Sequence, residues 1–172
     1  MAINSPSGSL AVTVDGEVSG KTPFYSDTMK EGESSIVLSN DTSTYRGKVT
    51  LTNGTLTVVN YSLGPSEDFS EGDTIWLAKS KDAASLVVIS DPDGAEVRLD
   101  DVLLGVTPIS SKKVSAEDHT LKISKAGYRP RLTKIQNQAG YSLNIKARLF
   151  LLPLSAGAGK LEFADDPRFK IT

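Results

Sequence analysis

The chain of 172 residues has no cysteine, which removes disulfide staples and thiolate metal ligands from consideration. It has one histidine and one tryptophan. No apolar run approaches the ~20 residues that a bilayer-crossing helix needs. Met1-Ala2-Ile3 has neither the charged start nor the apolar middle of a signal peptide. A sustained helical period is missing as well, and so is a strong charge of either sign, because the formal net charge is -2. These absences exclude a disulfide scaffold, a helical bundle and a densely basic nucleic-acid binder.

What is present is a sentence said twice. Val12-Thr13-Val14-Asp15-Gly16-Glu17-Val18-Ser19-Gly20-Lys21-Thr22-Pro23 returns as Val97-Arg98-Leu99-Asp100-Asp101-Val102-Leu103-Leu104-Gly105-Val106-Thr107-Pro108. Upstream of each, Ser5-Pro6-Ser7-Gly8 returns as Asp91-Pro92-Asp93-Gly94. A repeat of this length means two small modules, each near the lower limit of independent stability. The expected division is 1–79 for the first, 80–155 for the second and 156–172 for a linker or tail. The second module has an apolar lead-in at residues 86–89 where the first has three residues. That difference predicts a first strand cut short, and a soluble piece of a longer protein whose signal or anchor lies elsewhere.

Threonine, valine and isoleucine alternate through both halves. In residues 141–149, Tyr141, Leu143, Ile145, Ala147 and Leu149 share one side while Ser142, Asn144, Lys146 and Arg148 share the other. That period of two marks a strand half buried in a sheet. Asn53-Gly54 between residues 49–52 and 55–59 predicts a hairpin with a type I′ turn. Asp15-Gly16 ends a strand in a tight turn, Gly20 permits a second bend, and Thr22-Pro23 redirects an extended chain. The fold expected is all-β, two tandem antiparallel β-sandwiches.

Ser90-Asp91-Pro92-Asp93-Gly94-Ala95, then Gly105-Val106-Thr107-Pro108, then Gly127-Tyr128, resembles the PEGA domain in motif and order. The first repeat keeps Gly20, Thr22 and Pro23 but has Ser9-Leu10 at the Gly-Ala step and Thr44-Tyr45 in place of Gly-Tyr. The resemblance implies a small β-sandwich module of prokaryotic envelope and surface-layer-like proteins, with no catalytic residues to carry over. It implies a cell-envelope or extracellular location. Other domains of the same longer protein, envelope proteins or cell-wall polymers are the partners it implies.

The two halves differ in charge. Residues 1–79 hold 5 Lys and Arg against 10 Asp and Glu, whereas residues 80–155 hold 11 against 8. Lys122, Lys125, Arg129, Arg131, Lys134, Lys146 and Arg148 are expected on one sheet face of the second module. Of these, Lys122, Arg129, Arg131, Lys146 and Arg148 are the candidate contact surface for a glycan or anionic polymer. Trp76 lies between the modules, alternating with Ile75 and Leu77, and is expected to be buried at their contact. His119 falls in a turn entering a strand, away from any nucleophile, and its counterpart is Ser34. Asp91, Asp93, Asp100 and Asp101 do not follow the ligand order of an EF-hand and read as turn residues. The expectation is therefore a non-enzymatic structural or interaction module with no cofactor, no metal and no nucleic-acid partner.

Overall fold

The computed structural model describes residues 1–81, 84–111 and 114–153. The expected tail at 156–172 lies outside the described residues. Fifteen strands are found among those described, and the repeat governs their order. The first repeat contributes β1 (Ala2–Asn4), β2 (Ala11–Val14), β3 (Glu17–Lys21), β4 (Phe24–Tyr25), β5 (Gly32–Ser39), β6 (Thr44–Leu51) and β7 (Val58–Ser62). A strand without a counterpart follows, β8 (Glu71–Lys79). The second repeat contributes β9 (Ala84–Asp91), β10 (Glu96–Leu99), β11 (Val102–Val106), β12 (Ile109–Ser111), β13 (Asp118–Ser124), β14 (Arg131–Gln136) and β15 (Tyr141–Arg148).

Each repeat builds one four-stranded antiparallel sheet, β3-β2-β5-β6 in the first and β11-β10-β13-β14 in the second. The opposing layer is shared. It is one seven-stranded sheet ordered β12-β9-β15-β8-β7-β1-β4. The all-β, two-sandwich architecture read from the sequence is the one observed, but the sheets are not purely antiparallel. β1 runs parallel to β7, and β9 runs parallel to β15.

β8 pairs antiparallel with β7 on one side and β15 on the other, so β7 and β15 run the same way. The strand order is therefore mirrored about β8 without reversal of direction. This describes an approximate two-fold rotation about an axis along β8, and such a rotation exchanges the two faces of the sheet. Side-chain burial shows the exchange. Leu143 and Ile145 stand opposite Leu77 and Ile75, and all four belong to the second core. Val59 and Tyr61 stand opposite Thr74 and Gly72, and both pack in the first core. Successive strand residues point to opposite faces, so the two cores lie on opposite sides of one sheet.

The Asn53-Gly54 turn forms, with Gly54 at φ +77° and the Thr55 amide donating to the Thr52 carbonyl at 3.1 Å. It is not a hairpin, because β6 and β7 belong to different sheets. Val49 and Leu51 reach the first core from one layer, Val59 and Tyr61 from the other. The turn thus folds two apolar faces together instead of pairing two backbones, β6 being already paired with β5 over eight positions. A true hairpin sits at Asp15-Gly16, both with positive φ, joining β2 to β3. In the second repeat Asp100 and Asp101 take the same conformation at φ 49° and 65°. An aspartate thereby replaces the turn glycine, as short polar side chains tolerate this region.

Candidate functional site

The residues of the repeated motif are clamps. Thr22 donates its amide to the Leu10 carbonyl at 2.9 Å, and its Oγ1 accepts the Leu10 amide at 2.9 Å. Thr107 does the same with Ala95, at 2.8 and 3.0 Å. Both threonines are buried, so the hydroxyl satisfies a backbone donor that water cannot reach. Pro23 and Pro108 follow, each through a cis peptide bond. Gly20 and Gly105, at φ +138° and +148°, sit beside the bulge where Ser19 and Leu104 lack a partner. Pro92 and Gly94 shape the turn before β10, the Gly94 amide donating to the Thr107 carbonyl at 3.0 Å. Gly127, at φ +82°, turns the chain so that Tyr128 packs on the second core while its backbone bridges Leu151. The threonine hydroxyl escaped the sequence reading. Its signal was the retention of threonine, rather than any other strand former, in both copies.

Asp15 and Asp100 form a second matched pair of clamps. Asp15 Oδ1 accepts the Ser35 amide at 2.7 Å and Asp100 Oδ1 accepts the Thr120 amide at 2.8 Å. Those amide bonds hold both carboxyls below the ordinary aspartate range.

His119 is not remote from a hydroxyl, as the sequence suggested. Its Nδ1 lies 2.6 Å from Asp100 Oδ2 and its Nε2 lies 3.0 Å from Ser115 Oγ. The side chain is only 9% exposed. The spacing of the three groups is that of an acid, an imidazole and a hydroxyl in line. However, Nε2 also lies 3.2 Å from the Ser115 carbonyl. A lone pair would be repelled there, whereas an N–H can donate to both oxygens. The Asp100 hydrogen bond raises the imidazole above its ordinary pKa, and the Ser115 carbonyl adds to the effect. His119 is thus a two-ended donor that ties the loop before β13 to the β10–β11 turn, the opposite of a free general base.

The five basic residues expected on one face are divided among three places. Lys122 stands on β13 opposite Arg98 and Leu132, on the outer side of the four-stranded sheet. Lys146 and Arg148 lie on the side of β15 away from the second core, in the other layer. The outward sides of two opposed sheets point apart, which is why alternation on each strand could not bring them together. Arg131 stands opposite buried Ile123 and turns inward, its Nη2 2.8 and 3.1 Å from the carboxylate of Asp73, which is 3% exposed. Arg129 lies over the Phe150 ring at 4.3 Å and pairs with Glu71 at 3.0 Å. Arg148 pairs with Asp91 at 3.2 Å and with Glu67 at 3.8 Å. Three of the five therefore face carboxylates of Glu67, Glu71 and Asp73, from the acidic half. Much of the charge difference between the halves is cancelled at their junction.

Trp76 is half-buried and stands opposite Asn144, on the face away from Ile75 and Leu77. It is not among the side chains packed on either core. The modules are joined by the backbone of β8 rather than by burial of the indole. On the same face a small cleft of about 120 Å³ opens where the first repeat meets β15, lined among others by Tyr45, Arg46, Tyr61, Thr74, Lys146 and Arg148. Tyr45 and Tyr61 stack at 3.9 Å between ring centroids. Their side chains occupy the space left free by Gly47 and Gly72, where a Cβ would run into the Tyr45 hydroxyl and the Tyr61 ring respectively. Burial pushes both phenols above the ordinary tyrosine range.

Two repeated sandwiches fused through a common strand, with turn-forming motif residues in matched roles, define a tandem β-sandwich protein. A family model for the PEGA domain matches residues 1–67 and again 83–151, and the chain belongs to the PEGA domain family. No curated protein and no solved structure matches it.

Proposed function

We propose that the chain is a non-catalytic spacer and contact module in the exterior part of a prokaryotic cell-envelope protein. The observation that carries this reading is β8, which pairs over five residues with the first repeat and over eight with the second. A sheet continuous across two modules resists bending more than a flexible linker does, which suits a strut that holds other domains away from a surface. The matched motif residues support the same reading, since their side chains are spent on turns and backbone clamps. A membrane-impermeant amine-labelling reagent applied to intact cells making the full-length protein tests it. Labelling of the repeats before lysis is expected. Labelling only after lysis would overturn an exterior location.

A further inference from the structure

The rotation about β8 leaves half of each face of the seven-stranded sheet without a covering layer from its own repeat. On the second repeat's half this open face carries Trp76 opposite Asn144, Thr74 opposite Lys146, and Ile89 opposite Lys146 on the other flank. Trp76 and Lys146 are diagonal neighbours on adjacent strands, close enough for both to touch one ligand. Tyr45 and Arg46 of β6 form the wall, Tyr45 reaching Thr74 across the junction. Lys146 and Arg46 are exposed. Arg148, beside them, has Asp91 and Glu67 as partners, which leaves no carboxylate paired with Arg46 or Lys146 among the described residues.

We propose that this open face around Trp76 and Lys146, together with the small cleft beside it, binds an acidic polysaccharide, a polymer of sugar rings bearing spaced carboxylates. The proposal names a partner for the contact module proposed above and rests on that reading. An indole face takes the apolar face of a sugar ring while polar groups at its margin take the hydroxyls. Asn144 donates its Nδ2 to the Ser142 carbonyl at 2.8 Å, which leaves the Asn144 carbonyl oxygen on that face as an acceptor. The two unpaired cations match carboxylates separated along a chain. A nucleic acid fits less well. Its phosphates call for a dense basic stripe, whereas this face offers two cations without a carboxylate partner among the described residues, beside a single indole.

Trp76 is the only tryptophan, so its emission reports on the site directly. The intact chain is titrated with polygalacturonate, with dextran as the neutral polymer and oligothymidylate as the competing polyanion, and calorimetry runs alongside. Polygalacturonate is expected to give a saturable change in Trp76 emission that weakens with added salt. The Arg46→Ala/Lys146→Ala double variant, altered only at exposed positions, is expected to bind about tenfold or more weakly, a coupling of the size close charge pairs reach at interfaces. A Lys122→Ala/Lys134→Ala control removes the same charge from the outer face of the other sheet and is expected to bind as the parent does. Absence of polygalacturonate binding by both methods overturns the proposal, as does an equal loss in both double variants. Oligothymidylate binding as tightly would overturn the sugar assignment. Failure here with surface labelling intact leaves the spacer standing, and failure of surface labelling removes the setting for both.

Discussion

Thr22 and Thr107 show how one side chain can decide a local fold. Each hydroxyl accepts a buried amide, from Leu10 and Ala95 respectively. Thr107→Val keeps the shape and removes the acceptor, and a buried donor left unpaired costs about 1–3 kcal/mol. Urea unfolding is expected to show a loss of that order for Thr107→Val, and a smaller one for Thr107→Ser, which keeps the acceptor. Equal stability of the valine variant and the parent would remove the clamp from the account. His119 acts at the same scale with a pH signature. Its pKa is raised in the folded chain, chiefly by Asp100, so the protonated form is favoured by folding. The stabilisation is complete below the unfolded histidine value of about 6.5 and fades as pH rises through the higher folded value. The melting-temperature difference between the parent and His119→Gln is expected to shrink across that window. A difference that grows with pH would contradict the donor role.

Elements are where residue signals meet their limits. The alternation of residues 141–149 gave β15 and its buried face, because a period of two survives in any half-buried strand. Asp15-Gly16 gave the β2–β3 turn for an equally local reason. Asn53-Gly54 gave a turn but not its use, since turn chemistry is the same whether two strands pair or pack face to face. The basic residues were visible one by one, yet their grouping depended on which layer each strand joins, and that is a long-range fact. The acidic partners Glu71 and Asp73 sit 58 residues before Arg129 and Arg131 respectively, beyond the reach of any pattern within one strand. The Ser115–His119–Asp100 chain was hidden in the same way, Asp100 lying in the turn after β10 and His119 on β13, the strand that pairs with β10. Gly72 offers a test at this scale. A Cβ there would meet the Tyr61 ring and the Asn60 carbonyl at 2.1 and 2.6 Å, so β7 and β8 would have to separate. Gly72→Ala is expected to cost about 1–3 kcal/mol by overpacking, read as a lower urea midpoint together with altered tyrosine near-UV dichroism. An unchanged midpoint would show that the stack can relax.

The whole molecule is organised by a strand that belongs to neither repeat. β8 carries Ile75 and Leu77 into the second core while Gly72 makes room on its other side for Tyr61 of the first. Arg129 and Arg131 of the second repeat close on Glu71 and Asp73 of the same strand. Neither sandwich has a complete edge without it, so loss of one repeat should expose apolar surface of the other. Two modules of a size that is marginal alone gain from such sharing. The most direct test of this central claim is scanning calorimetry of the intact chain. One transition is predicted, with calorimetric and van't Hoff enthalpies equal, as a single cooperative unit requires. Two resolved transitions, each with the enthalpy of about half the chain, would contradict it and make β8 a tether between independent domains.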